Sequence, residues 1–79
     1  NAICPGLILT DLVMDAGEAT AEAMGLTFEG LVELFTADSA IKRPNELHEV
    51  AAMALLLASD AGAGITGQQL SVDGGTSQY

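Results

Sequence analysis

Few side chains in this 79-residue chain could carry out chemistry. Cys4 is the only cysteine and His48 the only histidine. A thiol nucleophile needs a base beside it, and His48 is remote in sequence, so Cys4 is read as a small buried strand residue. A lone cysteine forms no internal disulfide, which fits a reducing compartment such as the cytoplasm. His48 falls in the first turn of a predicted helix and is read as solvated. Lys42 and Arg43 are the only cations. Just before that helix, they are either solvated charges or a grip for a substrate carboxylate. The eleven carboxylates are scattered, with no loop of calcium-binding spacing, so no metal site is predicted. Pro5-Gly6 and the hydroxyl of Thr10 remain. Glycine lets a backbone approach a ligand closely, and an exposed amide with a hydroxyl can converge on a polar group. The same residues also suit a plain turn.

Composition narrows the partners. The net charge is −9. Nucleic acid and anionic membranes both call for clustered Lys and Arg, which are absent here. Apolar residues make up 49% of the chain and mean hydropathy is +0.39, which argues against disorder. The longest apolar run, Val50 to Ala58, is far short of the roughly 20 residues of a membrane span. No basic leader precedes an apolar stretch. The first residue is Asn1, which runs straight into apolar sequence, so the chain is read as cut from a longer one.

The elements follow from periodicity. Ala2-Ile3-Cys4 is a short apolar run stopped by Pro5 and Gly6, the pattern of a buried parallel strand. Leu7 to Leu9 is a second apolar run ending at Thr10. Residues 11–43 read as two helices. The first spans roughly Asp11 to Met24, interrupted near Gly17 and stopped by Gly25. The second is capped by Thr27, with Phe28, Leu31, Val32 and Phe35 on one face. That face either packs in the ordinary way or covers a pocket as a lid. A longer helix runs from about Glu46 to Ser59, with Asn45 as its cap and Glu46 and Glu49 at the positive end of its dipole. It is apolar over most of its girth, so burial on two sides is predicted, against a sheet and against a further subunit. Gly62, Gly64 and Gly67 punctuate turns. A strand over Gln68 to Asp73 precedes Gly74-Gly75, and Thr76 to Tyr79 is a polar tail. Strand, helices, strand is the order of a right-handed crossover in a parallel sheet. Two strands make a marginal sheet by themselves.

Asn1-Ala-Ile-Cys-Pro-Gly followed by Thr10 resembles the N-x-I-x-P-G-x-x-x-T segment of classical short-chain dehydrogenases/reductases. Leu56-Leu57-Ala58-Ser59-Asp60, Ile65-Thr66-Gly67-Gln68 and Val72-Asp73-Gly74-Gly75 are similar to that family's C-terminal signature, in the same order and spacing. The resemblance covers nearly the whole chain. It implies an α/β fold, the C-terminal portion of a Rossmann-type doubly wound parallel sheet: the last two strands, a substrate-binding loop at 11–43 with its helices, and one long helix, all within one NAD(P)-binding domain. It also implies an NAD- or NADP-dependent oxidoreductase that interconverts a secondary alcohol and a ketone. In that family Pro5 and Gly6 would lie beside the nicotinamide, the backbone of Ile8 would bond its carboxamide, and the Thr10 hydroxyl would contact the same amide or the pyrophosphate.

The sequence departs from the family in two ways. Leu47-His48 stands where Pro-Glu usually opens the long helix, which should alter helix initiation rather than chemistry. The glycine-rich phosphate loop, the catalytic Ser and the Tyr-x-x-x-Lys are not present. The only tyrosine is Tyr79 and the only lysine Lys42. No catalytic residue is therefore assigned, and the 79 residues alone are expected to be inactive. Gly25-Leu-Thr-x-Glu29 is similar to loops in 3-hydroxybutyrate dehydrogenases, and such loops also occur in 3-oxoacyl-carrier-protein reductases and sugar dehydrogenases. Leu12, Val13, Met14 and Met24 suit a short aliphatic or acyl substrate. Ala51, Met53, Ala54, Leu57 and Leu70 are candidate contacts of a homodimer or homotetramer. A different class of function, a non-catalytic acidic module pairing through its apolar helix, is the alternative.

Overall fold

The computed structural model describes residues 1–77; Gln78 and Tyr79, the end of the expected tail, lie outside the described residues. Strand β1 is Ala2–Pro5, followed by helices α1 (Asp11–Ala23), α2 (Phe28–Thr36) and α3 (Leu47–Ala58), a 3-10 turn at Asp60–Gly62 and strand β2 (Gln69–Val72). The strands pair in parallel, Ala2 with Gln69 through Pro5 with Val72. That is the predicted strand, helices, strand order. Pro5, the last residue of β1, brings no N–H to the ladder. Gly6 N–H resumes the bonding to the Val72 carbonyl at 3.0 Å. At the other end the Asn1 side chain clamps the approach to β2. Its amide donates to the Ile65 carbonyl and its oxygen accepts from Gln68 N–H, both at 2.9 Å.

Thr10 caps α1, its hydroxyl accepting from Val13 N–H at 3.3 Å, and Asp11 sits favourably in the first turn. The helix ends as expected, with Gly25 at φ +72°. The interruption expected at Gly17 does not occur, and α1 is continuous. Gly17 is instead a packing notch. A β-carbon there would lie 2.5 Å from the Phe28 ring, so the glycine lets α2 approach α1. Thr27 caps α2 as predicted, accepting from Gly30 N–H at 3.0 Å. Ala21 and Leu31, the buried apolar residues of the described chain, lie on α1 and α2.

The start of α3 corrects another expectation. Asn45 does not cap the helix; Glu46 is the cap residue, and its N–H donates to the Glu49 carboxylate at 2.7 Å. Asn45 is drawn away because its backbone pairs with the segment after β1. Val50, Met53 and Leu57 are half-buried at helical spacing, and α3 packs on both strands. No residue of α3 is fully buried, and Leu47 and Leu55 are 63% and 72% exposed. Burial on two sides is therefore not achieved within this chain. Strand β1 is likewise less buried than expected, with Ile3 and Cys4 only half-covered. Helices α1 and α2 pack on each other and not on the sheet, so α3 alone covers it.

Gly17→Ala should test the notch. Alanine is the better helix former by up to about 1 kcal/mol, yet overpacking against the ring costs about 1–3 kcal/mol. Urea denaturation of the full-length subunit should therefore show no stabilisation and a loss of about 1 kcal/mol; a gain would mean that the Phe28 ring is not held against the helix.

Candidate functional site

Parallel pairing brings the carboxyl ends of β1 and β2 side by side, and the residues singled out from sequence follow directly. Gly6 is closely surrounded. A β-carbon on it would lie 2.7 Å from Asp73 Cα and 2.9 Å from the Asn45 side-chain oxygen. The next carbonyl, of Leu7, accepts from Asn45 N–H at 2.7 Å, and Ile8 forms a single parallel bridge with Asn45. The Ile8 carbonyl accepts from Thr10 N–H at 3.0 Å. Among the described residues the Ile8 N–H has no acceptor. Thr10 accepts as a cap, leaving its hydroxyl proton free to donate.

The four residues do not share one cavity. Pro5 and Gly6 line a cleft of about 160 Å³ together with Asn45, Asp73 and Thr76. Ile8 lines another of about 480 Å³ with Leu9, Pro44, Asn45 and His48. Thr10 lies at the start of α1, and Asn45 and Arg43 border both clefts.

Sequence reasoning missed the residues that hold this region. Asp73 closes the turn after β2, accepting from Gly75 N–H and Ser77 N–H at 3.0 Å each. Asp-Gly is a turn signal in its own right, so this fold of the chain was available from the residues. Buried Ser39 donates its hydroxyl to the Gly74 carbonyl at 3.0 Å, and Ile41 N–H reaches the same oxygen at 3.1 Å. Gly74, at φ +64°, has no room for a β-carbon beside Ile41. The loop before α3 is thereby fastened to the turn after β2.

Both cations are exposed, as expected for solvated charges, and neither is poised as a carboxylate grip. Arg43 makes a bidentate pair with Glu49, two contacts of 2.9 Å, and also donates to the Pro44 carbonyl. Lys42 donates to the Ala37 carbonyl. The Arg43 hydrogen bonds, helped by Glu46 N–H, pull the Glu49 carboxyl down to about 2, and the same pair raises Arg43. His48 is exposed in the first turn of α3, as predicted. Between α1 and α2 lies an apolar groove of about 250 Å³, lined by Val13, Ala16, Gly17, Thr20, Leu31 and Phe35. Of the apolar residues expected to line the substrate loop, Val13 is there, while Leu12, Met14 and Met24 are exposed. Among the described residues no three His, Cys, Asp or Glu side chains gather as a metal site, and no helix is long and apolar enough to cross a membrane.

A family model described as enoyl-(acyl carrier protein) reductase matches residues 1–77. A D-beta-hydroxybutyrate dehydrogenase of Rhizobium meliloti (strain 1021) is 40% identical over 76 residues, 95% of this chain and 30% of that protein. An NADPH-dependent reductase of Bacillus subtilis (strain 168) is 34% identical over 76 residues, 96% of this chain and 29% of the relative. The crystal structure of a short chain dehydrogenase family protein from Francisella tularensis superposes with a TM-score of 0.84 at 27% identity, over 94% of this chain and 31% of that one. The chain belongs to the short-chain dehydrogenase/reductase family, and its two strands and helices are a section of that Rossmann-type fold. It spans about 30% of the length of the curated relatives it matches.

The depressed Glu49 carboxyl fixes the sign of one acid response. A lowered folded-state value contributes stability above the ordinary 4.5, and that contribution is lost as pH falls from there toward about 2. Glu49→Gln in the full-length protein should flatten the pH dependence of the urea midpoint across that window and leave its slope near neutrality as it was. An unaltered acid slope would show that the pair is not formed in solution.

Proposed function

We propose that these residues form the C-terminal part of an NAD- or NADP-dependent oxidoreductase that interconverts a secondary alcohol and a ketone. The carrying observation is the placement of Gly6 and Ile8 just past the carboxyl ends of two parallel strands, where ligands of open α/β sheets bind. Gly6 leaves no space for a side chain, and the adjoining Ile8 N–H has no protein acceptor among the described residues. The glycine keeps the turn tight against Asp73, and the unpaired N–H suits a planar ring bearing an amide. Pro5 and Gly6 would flank the nicotinamide, Ile8 would bond its carboxamide through the backbone, and Thr10 would donate its hydroxyl proton to that amide or to the pyrophosphate. When bound, the cofactor supplies or accepts the hydride. These residues bind and orient it. The proton-transferring Ser and Tyr-x-x-x-Lys of the family lie outside the 79 residues, which are expected to be inactive alone.

For the substrate, the apolar groove between α1 and α2, within the 11–43 segment, supports a short aliphatic or acyl chain. The similarity to a hydroxybutyrate dehydrogenase points the same way. Arg43 and Lys42 are occupied within the chain, so the geometry gives no support to a substrate carboxylate held there. The exposed face of α3, including Ala51 and Ala54, supports association with a second copy as a homodimer or homotetramer. Met53, Leu57 and Leu70, the other candidate contacts, are half-buried. A cytoplasmic enzyme that binds neither nucleic acid nor membrane fits the acidic composition and the lone cysteine. The relatives described above are oxidoreductases by name, and the non-catalytic interaction module has no counterpart among them.

In the full-length enzyme Gly6→Ala should raise the Michaelis constant for the dinucleotide at least about tenfold, because the new methyl group meets the Asp73 backbone as well as the Asn45 side chain. Thr10→Ser should retain activity, whereas Thr10→Ala should lose cofactor affinity and about 0.5–2 kcal/mol of helix capping. An unchanged Michaelis constant in Gly6→Ala would overturn the cofactor assignment.

A further inference from the structure

The side chain of Asn45 is a polar group that neither the capping of α3 nor the Arg43–Glu49 pair accounts for. The residue is only 6% exposed. Its backbone is committed, with its N–H on the Leu7 carbonyl at 2.7 Å and a parallel bridge to Ile8. Its side-chain amide has no hydrogen-bond partner among the described residues, although it borders both clefts. The amide oxygen stands 2.9 Å from where a β-carbon of Gly6 would be. It therefore occupies the volume that glycine leaves open, beside the segment proposed to meet the nicotinamide. The amide is thus an open polar group at the mouth of both clefts, in contact distance of the Gly6 backbone.

We infer that Asn45 is a positioning residue for the nicotinamide half of the dinucleotide. Its backbone holds Leu7 and Ile8 in register, and its amide supports Gly6 from behind. The inference rests on the cofactor reading above and adds to it a residue on a different element. Because Asn45 acts on the Gly6–Ile8 segment, its loss affects the ring end of the cofactor and spares the adenosine end.

The test uses the full-length enzyme, with NADH, NADPH and ADP-ribose (which lacks the nicotinamide) as probes in equilibrium binding. Asn45→Ala should weaken the preferred dinucleotide about tenfold and leave ADP-ribose affinity within twofold. The milder Asn45→Ser should weaken it about threefold with the same split, and it serves should the alanine variant fail to fold. Equal weakening of dinucleotide and ADP-ribose, or no change in either, would overturn the positioning role. If the unsubstituted enzyme binds neither NADH nor NADPH, the cofactor reading itself falls, an outcome distinct from an unaffected Asn45 variant of an enzyme that does bind.

Discussion

The side-by-side pairing of β1 with β2 is the constraint on which the rest depends. It joins residues from the two ends of the chain, and its parallel sense places both carboxyl ends at one edge. Everything of functional interest then collects there. The turn after β1 supplies Gly6 and Ile8, and the turn after β2 supplies Asp73. In an antiparallel pair those two turns would lie at opposite ends of the sheet. Topology thus performs most of the assembly before any side chain is chosen.

Side chains then tie a third element to that edge. Asp73 folds the Gly74-Gly75 turn over itself, Ser39 and Ile41 grip the Gly74 carbonyl, and Asn45 returns the chain to Leu7. These bonds convert the stretch between α2 and α3 from a loose connection into a brace. Arg43, from the same stretch, pairs with Glu49 on α3 and so fixes where that helix begins. The result is a small ring of contacts running β1, loop, β2 and back, with Gly6 and Gly74 closely enclosed in it.

Much of this was legible from residues. The Thr27 cap, the Gly25 stop, the parallel order and the end of β1 at Pro5 all follow from local rules that tertiary structure did not override. Gly17 shows where local rules stop. Its helix penalty is real, but the Phe28 ring from the next helix decides its purpose. Asn45 has the chemistry of a cap, and only the distant Leu7 carbonyl explains why Glu46 takes the position. The Arg43–Glu49 pair was hidden for a similar reason, since a charge just before a helix has no fixed direction until the chain bends. Burial was overestimated for α3 and β1 because an apolar pattern records what a surface is suited to cover, whereas exposure depends on how many layers are present.

The pairing of β1 with β2 also sets the order in which the structure can assemble. Helices α1 and α2 meet across a few residues and can close quickly, as can the turn that follows α3. The two strands are separated by nearly the entire chain, so their contact is the least local in the structure and forms more slowly than the helix pair. Until it does, the edges of β1 and the apolar face of α3 stay uncovered. During synthesis β1 would leave the ribosome well before β2 exists, so the edge that β2 covers stays open in the meantime.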